Sequence, residues 1–130
     1  MQLNVLRTKI HRATVTDANL DYIGSITIDK NILDTVKLYQ NEKVQVVNIN
    51  NGARIETYVI TGEANSGICC LNGAAARYFQ RGDKIIIMSY TWIDEKDYRV
   101  HQPRIAFVND NNEIINLTDH ESPATSYHNL

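Results

Sequence analysis

The sequence of 130 residues has little of what marks most specialised classes of protein. It contains two cysteines and two prolines, and charge of neither sign prevails. Thirteen Lys and Arg against fifteen Asp and Glu give a net charge of -2, so the chain as a whole would attract neither nucleic-acid phosphates nor anionic lipid. Since no apolar run is long enough to span a bilayer, we predict neither a nucleic-acid partner nor a membrane partner.

The two cysteines, Cys69 and Cys70, are adjacent and predict neither a disulfide nor a metal site. Neighbouring cysteines bridge only through strained geometry, and in a strand they point to opposite faces as packing residues. The four histidines lack helical i,i+4 pairs and nearby cysteines, which argues against zinc. Together with an N-terminal segment that lacks a signal-peptide pattern, these features predict a metal-free protein in the reducing cytoplasm.

Apolar residues are present in an ordinary fraction and fall in short β-rich segments. They make up 43% of the chain, enough for the core of one domain. The pattern predicts strands at 3–16, 26–28, 44–49, 54–61, 68–71, 85–88, 105–108 and 113–117, and helices at 30–39 and 74–79. Because strands and helices do not alternate as in βαβ units, the pattern predicts a β-barrel or barrel-like sandwich over residues 1–117. Residues 118–130 have few apolar residues and are predicted to form a flexible tail.

Three local patterns give sharper predictions. Asn51-Gly52 between two β-rich runs predicts a hairpin at 50–53, because both residues tolerate positive φ. Asp29 is placed to cap the first helix. Strict alternation along the first strand predicts two faces. One face carries Val5, Arg7, Lys9, His11 and Ala13, and the other carries Leu6, Thr8, Ile10 and Arg12.

Four short motifs follow one another along the chain, and none is specific by itself. They are the run Lys9-Ile10-His11-Arg12-Ala13-Thr14-Val15-Thr16, then Tyr22-Ile23-Gly24-Ser25-Ile26, then Asn51-Gly52-x-Arg54-x-x-Thr57-Tyr58, and last Asn72-Gly73-Ala74-Ala75-Ala76. In this order and at these positions, residues 3–117 resemble the pyruvoyl-dependent aspartate decarboxylase family. The resemblance implies a mainly β fold, a six-stranded double-psi β-barrel with small helices. It also implies a homotetramer with active sites at subunit interfaces.

Self-cleavage between Gly24 and Ser25 is the central feature that the resemblance implies. The Ser25 hydroxyl would attack the preceding carbonyl, and β-elimination and hydrolysis would leave a β chain of residues 1–24 and an α chain of residues 25–130. The α chain would begin with a pyruvoyl group derived from Ser25. Its ketone would take up the amino group of L-aspartate and accept the electrons released as CO₂ departs. The product, β-alanine, would supply pantothenate and coenzyme A synthesis.

The resemblance also implies which residues assist these reactions. Thr57 would stabilise the oxyanion during self-cleavage and contact the substrate. Tyr58 would donate the proton that completes β-alanine, since a phenol is protonated at neutral pH. Tyr22 would help to position the reacting group. Glycine at position 24 would leave the hydroxyl unobstructed and would allow a backbone conformation that other residues resist.

The substrate carries two carboxylates, so the pocket needs cations and N–H donors. Arg54 can grip a carboxylate with two parallel hydrogen bonds, and Lys9 and His11 would add positive potential. The opening of the second helix would form an anion cradle from backbone N–H groups. Those groups belong to Gly73, Ala74 and Ala75.

One geometric tension and several alternatives stay open. In a regular strand Arg54 and Tyr58 share a face and Thr57 points the other way, so we predict either an irregularity at Thr57-Tyr58 or contributions from two chains. The family often has tryptophan where this chain has Val47, and the resemblance leaves open whether a helper protein assists maturation. The alternative functions are a non-maturing double-psi barrel that acts as a binding or assembly module, and a small DNA-binding β protein, which the balanced charge disfavours.

Overall fold

A nine-stranded sheet organises residues 1–129, the part of the chain that the computed structural model describes. The strands are β1 (Gln2–Thr14), β2 (Asp17–Asn19), β3 (Ser25–Asp29), β4 (Lys43–Asn48), β5 (Arg54–Gly62), β6 (Cys69–Asn72), β7 (Lys84–Asp94), β8 (Arg104–Val108) and β9 (Ile114–Thr118). One α-helix, α1 (Lys30–Val36), and 3-10 helices at Gly73–Tyr78, Glu95–Val100 and Tyr127–Asn129 complete the described elements. The prediction of a mainly β fold with small helices is confirmed.

The strand order is β2-β6-β3-β5-β4-β7-β1-β8-β9, with parallel and antiparallel neighbours mixed. Three pairs are parallel, namely β1 with β8, β2 with β6, and β3 with β5. The sheet is curved, so that residues just after β1 meet β6 from the other half of the strand order. The Thr16 N–H donates to the Cys69 carbonyl of β6 at 2.8 Å. This arrangement is consistent with a β-barrel, while the six-stranded double-psi description stays a prediction.

The core lies inside this curved sheet and is aliphatic. Fully buried side chains include Ile10, Ile26, Ile28, Val46, Val59, Leu71, Ile85 and Ile87. Helix α1 packs against this core with Ile32, Leu33 and Val36. Asp29 caps α1 as predicted, accepting the Asn31 N–H at 2.8 Å. The helix ends before residue 39 because Lys37 takes the left-handed conformation, with φ of 58°.

The hairpin predicted at 50–53 forms, while two strands depart from the prediction. Antiparallel β4 and β5 pair with Val47 opposite Arg54, and Gly52 in the turn has φ of +77°. The strand predicted at 85–88 is much longer, because β7 pairs along the whole of β1. Residues 17–19, which lie outside every predicted strand, form the short strand β2 beside β6.

The predicted strict alternation along β1 is wrong, because two bulges interrupt it. The pairing with β7 shifts register between Leu6 and Thr8 and between His11 and Ala13, and Arg12 has φ of +67°. Such a bulge inserts one residue and reverses the faces that follow. Ala13 therefore points into the core, while the Arg12 guanidinium lies over the Tyr127 ring at 4.8 Å.

The segment after β9 contacts β1 and β8. The Tyr127 hydroxyl donates to the Val108 carbonyl at 3.0 Å, and the Glu121 carboxylate lies 2.8 Å from Lys9 Nζ. Flexibility of residues 118–130 stays a prediction, and Leu130 lies outside the described residues. Among residues 1–129, no helix combines the length and the apolar character needed to cross a membrane.

Candidate active site

The Gly24–Ser25 peptide bond lies where an exposed segment enters the core. Tyr22 and Ile23 are exposed, at 57% and 84%, whereas Ser25 is 0% exposed as the first residue of β3. The two residues before Gly24 are therefore exposed to solvent, whereas the backbone after the bond is held by two neighbouring strands. The Gly24–Ser25 peptide bond therefore lies next to the buried hydroxyl of Ser25.

Asn72 orients that hydroxyl. Ser25 and Asn72 are opposite each other in the antiparallel pair β3/β6. Asn72 Nδ2 donates to Ser25 Oγ at 2.9 Å and to Thr27 Oγ1 at 3.0 Å, while Ser25 Oγ donates to the Ile23 carbonyl at 3.4 Å. In the sequence, Asn72 is recognisable only as part of a motif. Its role in orienting the Ser25 hydroxyl follows from the strand register, which places the two residues opposite each other.

Gly73 supports the segment that precedes Ser25. Its φ is +63°, and a Cβ at this position would lie 2.8 Å from Gly24 Cα and 3.0 Å from the Tyr22 carbonyl oxygen. Glycine is therefore required here both for its backbone conformation and for the close approach. Gly24 itself has no positive φ, and a Cβ there would meet only the Asn72 carbonyl oxygen at 3.8 Å. The unusual conformation predicted at Gly24 is thus found at Gly73.

The 3-10 helix Gly73–Tyr78 begins directly after Asn72. The Asn72 side chain makes no capping hydrogen bond to this helix, because it faces Ser25 and Thr27 instead. Ala74 is exposed and Ala75 is half-buried. Small side chains thus line the opening of this helix next to Gly24.

Thr57 and Tyr58 lie where β5 changes partners. Tyr58 is opposite Lys43 of β4, and the next residue, Val59, is opposite Ile26 of β3. Because β3 and β5 are parallel, the residues that precede Ile26 and Val59, namely Ser25 and Tyr58, also lie beside each other. Tyr58 is 37% exposed and Thr57 is half-buried, so they alternate without a bulge. The predicted irregularity at Thr57-Tyr58 is not found, and the alternative, contributions from two chains, stays a prediction.

Arg54 lies away from Ser25 in the same chain. It is at the hairpin end of β5, four residues from Tyr58, and strands rise about 3.3 Å per residue. Its exposed guanidinium donates to Gln45 Oε1 at 2.6 Å. The Cα atoms of Arg54 and Tyr58 are therefore separated by roughly 13 Å of strand, and the Arg54 guanidinium is held by Gln45 of β4 rather than beside Ser25.

Lys9 and His11 lie away from Ser25, in a cavity of about 460 Å³. Residues of β8, β9 and the C-terminal segment also line this cavity. The shared face predicted for the two residues is confirmed. The residues around Ser25 do not line this cavity. Lys9 pairs with Glu121, and the His11 ring contacts the rings of Phe107 and Tyr127, with centroids 5.5 and 5.8 Å away.

Burial lowers the pKa of His11 to about 4, with further lowering by the neighbouring charges of Lys9 and Arg12 and a small opposing effect from Glu121. His11 is therefore neutral at pH 7 in the single chain, and the prediction that it adds positive charge is wrong here. Its Nδ1 atom is buried and has no hydrogen-bond partner within residues 1–129. Lys9 contributes a positive charge to this cavity, but it is paired with Glu121, and Arg12 lies over the Tyr127 ring.

Removal of residues 119–130 should raise the pKa of His11 toward its ordinary value of 6.5. Burial is the main cause of the shift, and Tyr127 supplies part of that burial; losing Glu121 acts weakly in the opposite direction. In the complete chain the folded state binds this proton only near pH 4 and the unfolded state near pH 6.5, so stability falls as pH decreases through that interval. NMR titration of the His11 ring in both proteins measures the change. An unchanged midpoint would show that the C-terminal segment does not bury His11.

The predicted site residues thus form two groups and one isolated arginine. The strand register and the close approach of Gly73 to Gly24 bring Tyr58, Gly24 and Gly73 next to Ser25, and Tyr22, Thr57, Ala74 and Ala75 are their neighbours along the chain. Lys9 and His11 form the second group, and Arg54 stands apart. Within residues 1–129, no three His, Cys, Asp or Glu side chains are grouped closely enough to hold a metal ion.

Comparison with known proteins identifies the family. Residues 1–115 match the family model described as aspartate decarboxylase. An aspartate 1-decarboxylase of Caldicellulosiruptor bescii is 61% identical over 121 residues, covering 93% of this chain and 94% of the relative. Those of Clostridium acetobutylicum and Bacillus cereus (strain B4264) are 57% and 55% identical, covering 96% and 93% of this chain and 98% and 95% of the relatives. The chain belongs to the aspartate decarboxylase family.

Proposed function

We propose that this protein removes the α-carboxylate of L-aspartate as CO₂ and releases β-alanine, after cleaving its own chain between Gly24 and Ser25. The observation that carries this proposal is the Ser25 hydroxyl. It is fully buried, oriented by Asn72, and placed directly after an exposed segment. Membership of the aspartate decarboxylase family supplies the reaction and the substrate.

Self-cleavage would use atoms that are already adjacent. Ser25 Oγ attacks the Gly24 carbonyl carbon, and the amide nitrogen leaves that carbon, so that an ester replaces the peptide bond. Loss of the Ser25 Cα proton then breaks the Cβ–Oγ bond and frees the Gly24 carboxylate. Water hydrolyses the resulting dehydroalanine to a pyruvoyl group and ammonia. Residues 1–24 and 25–130 remain associated through the sheet.

The first step needs a donor for the oxyanion that develops on the Gly24 carbonyl oxygen. Thr57 is our candidate, because β5 carries it next to the residue that lies beside Ser25. Asn72 supports the same step by holding Oγ in one position. Burial of Ser25 keeps water from competing with the intramolecular attack.

The pyruvoyl group fits this location, since the residue that would carry it is buried beside an uncapped helix opening and a tyrosine. When present, the group supplies a ketone that binds the substrate amine and withdraws electrons from the carboxylate that leaves. Tyr58 would deliver a proton to the carbon that loses CO₂. Backbone N–H groups of residues 73–75 would hold a carboxylate, and Tyr22 would position the substrate above them.

We infer that two chains contribute to each site, as in a homotetramer with interfacial sites. The cations Lys9 and Arg54 and the neutral His11 lie apart from Ser25 within one chain, yet a dianionic substrate at Ser25 needs cations. Cations from a neighbouring subunit would meet that need. We also propose a cytoplasmic location, which the free, buried thiols of Cys69 and Cys70 support.

Incubation of the purified protein with L-aspartate tests the activity. We expect ¹H NMR to show β-alanine accumulating as aspartate disappears, with one CO₂ released for each β-alanine. Failure of a fully cleaved preparation to form β-alanine would contradict the proposal. Incubation with and without cell lysate also shows whether a helper protein is needed, since a helper would make cleavage depend on the lysate.

Mixing two inactive variants tests whether sites are shared between chains. Ser25→Ala removes the cleaved residue, and Lys9→Ala removes a cation of the second group. Co-expressed in one cell, the two variants should form mixed oligomers in which some sites contain an intact Ser25 and an intact Lys9. Recovered activity supports sharing, and complete inactivity of verified mixed oligomers would contradict it.

Arg54→Ala should raise the KM for aspartate about tenfold or more, because a charge-assisted pair to a carboxylate is lost. Cleavage at residue 25 should proceed normally, since Arg54 lies far from Ser25 in its own chain. Steady-state kinetics and gel analysis measure the two effects. Lys43→Ala is a matched control, because it also removes an exposed cation from the β4/β5 hairpin. Loss of cleavage in Arg54→Ala would show that its assigned role is wrong.

A further inference from the structure

Four polar side chains form a closed cluster on one face of the antiparallel pair β3/β6. Ser25 is opposite Asn72, and Thr27 is opposite Cys70. Residues two apart in a strand share a face, so both pairs point to the same side. The mechanism described above uses Ser25 and Asn72 and leaves Cys70 without a role.

Cys70 contacts the side of the Asn72 amide that faces away from Ser25. Its Sγ atom lies 3.1 Å from Asn72 Oδ1, closer than its other acceptor, the Leu71 carbonyl oxygen at 3.9 Å. Cys70 is 5% exposed and Asn72 is 4% exposed. Burial raises the pKa of the Cys70 thiol, so the sulfur keeps its proton at neutral pH and can donate it.

An asparagine amide can face its neighbours in either of two orientations. With Oδ1 accepting from the thiol, both Nδ2 hydrogens are directed to the hydroxyls of Ser25 and Thr27. In the reversed orientation Nδ2 would face a sulfur, which is a weak acceptor, and Oδ1 would draw the Ser25 hydrogen toward itself. Ser25 Oγ would then turn away from the geometry held by the Nδ2 hydrogen bond.

We propose that Cys70 is a positioning residue for self-cleavage: its thiol selects the Asn72 amide orientation that holds Ser25 Oγ ready for attack on Gly24. This role rests on the proposed function, and it adds a residue to which sequence reasoning assigned only packing. The adjacent Cys69 differs, because its side chain belongs to the aliphatic core cluster on the other side of the strand.

Three substitutions separate hydrogen bonding from packing. Cys70→Ser keeps a donor of similar size, Cys70→Val fills the volume without a donor, and Cys70→Ala removes both. We expect Cys70→Ala and Cys70→Val to cleave about fivefold more slowly than the wild type, as expected for the loss of one hydrogen bond. Cys70→Ser should cleave at the wild-type rate or faster. Cys69→Ala is the matched control and should cleave normally, although it should lower the thermal stability.

Cleavage rates are measured by intact mass spectrometry on freshly purified, uncleaved protein, with melting temperatures recorded for every variant. A wild-type rate in Cys70→Ala, or equal rates in Cys70→Val and Cys70→Ser, would overturn the role of the thiol. Slow cleavage of Cys70→Ser together with Cys70→Ala would do the same. If the wild type itself never cleaves, the proposed function fails first and the role of Cys70 fails with it.

Discussion

A Ser25→Ala variant should remain one intact chain and should form no β-alanine. The substitution removes the only atom, Oγ, that can attack the Gly24 carbonyl in the proposed step. The fold should survive, because alanine fits a site that is buried among β3, β5 and β6 and costs about one hydrogen bond, from Asn72. Intact mass, circular dichroism and aspartate turnover together measure these outcomes.

Ser89→Ala is a suitable control for this variant. Ser89 is also buried in a strand, and its hydroxyl bonds to Thr8 far from Gly24. This variant should lose some stability yet cleave and turn over aspartate normally. Cleavage of Ser25→Ala at the same bond would contradict the assignment of Ser25 as the nucleophile.

Gly73→Ala should block self-cleavage even though residue 73 takes no chemical part in it. The new Cβ would lie 2.8 Å from Gly24 Cα and 2.9 Å from Gly24 N, so the segment before Ser25 must shift. A displacement of about 1 Å between reacting groups is enough to slow a reaction about a hundredfold. We expect at least this loss in the cleavage rate, measured by the appearance of residues 25–130 on a gel or by mass.

Gly52→Ala is a control that introduces backbone strain without a close contact to Gly24. Gly52 also has positive φ, +77°, but a Cβ there would meet nothing within 4 Å. Both variants should lose about 1–2 kcal/mol of stability from the strained backbone, and only Gly73→Ala should lose cleavage. Equal cleavage by the two variants would show that the close approach of Gly73 to Gly24 does not matter.

Local signals in the sequence predicted those parts of the fold that depend on short-range interactions. The Asn51-Gly52 turn and the Asp29 cap each involve residues a few positions apart, and both form as predicted. The family resemblance grouped Ser25, Thr57, Tyr58 and Gly73, and in the structure the strand register places Tyr58 beside Ser25 while Gly73 approaches Gly24. Their catalytic roles stay predictions.

Features that depend on long-range pairing could not be predicted. The bulge at Arg12 is imposed by pairing with β7, and it moves Ala13 into the core and Arg12 toward Tyr127. The neutral state of His11 follows from its burial by Phe107 and Tyr127, which lie about a hundred residues away along the chain. The orienting role of Asn72 appears only when β3 and β6 are paired.

Intact mass spectrometry of the purified wild-type protein tests the central claim most directly. We predict two masses, one for residues 1–24 and one for residues 25–130, and the larger chain should lack a free amino terminus and react with a hydrazine. A single mass of 14.8 kDa that persists under every activating condition, with Ser25 unmodified, would contradict the account.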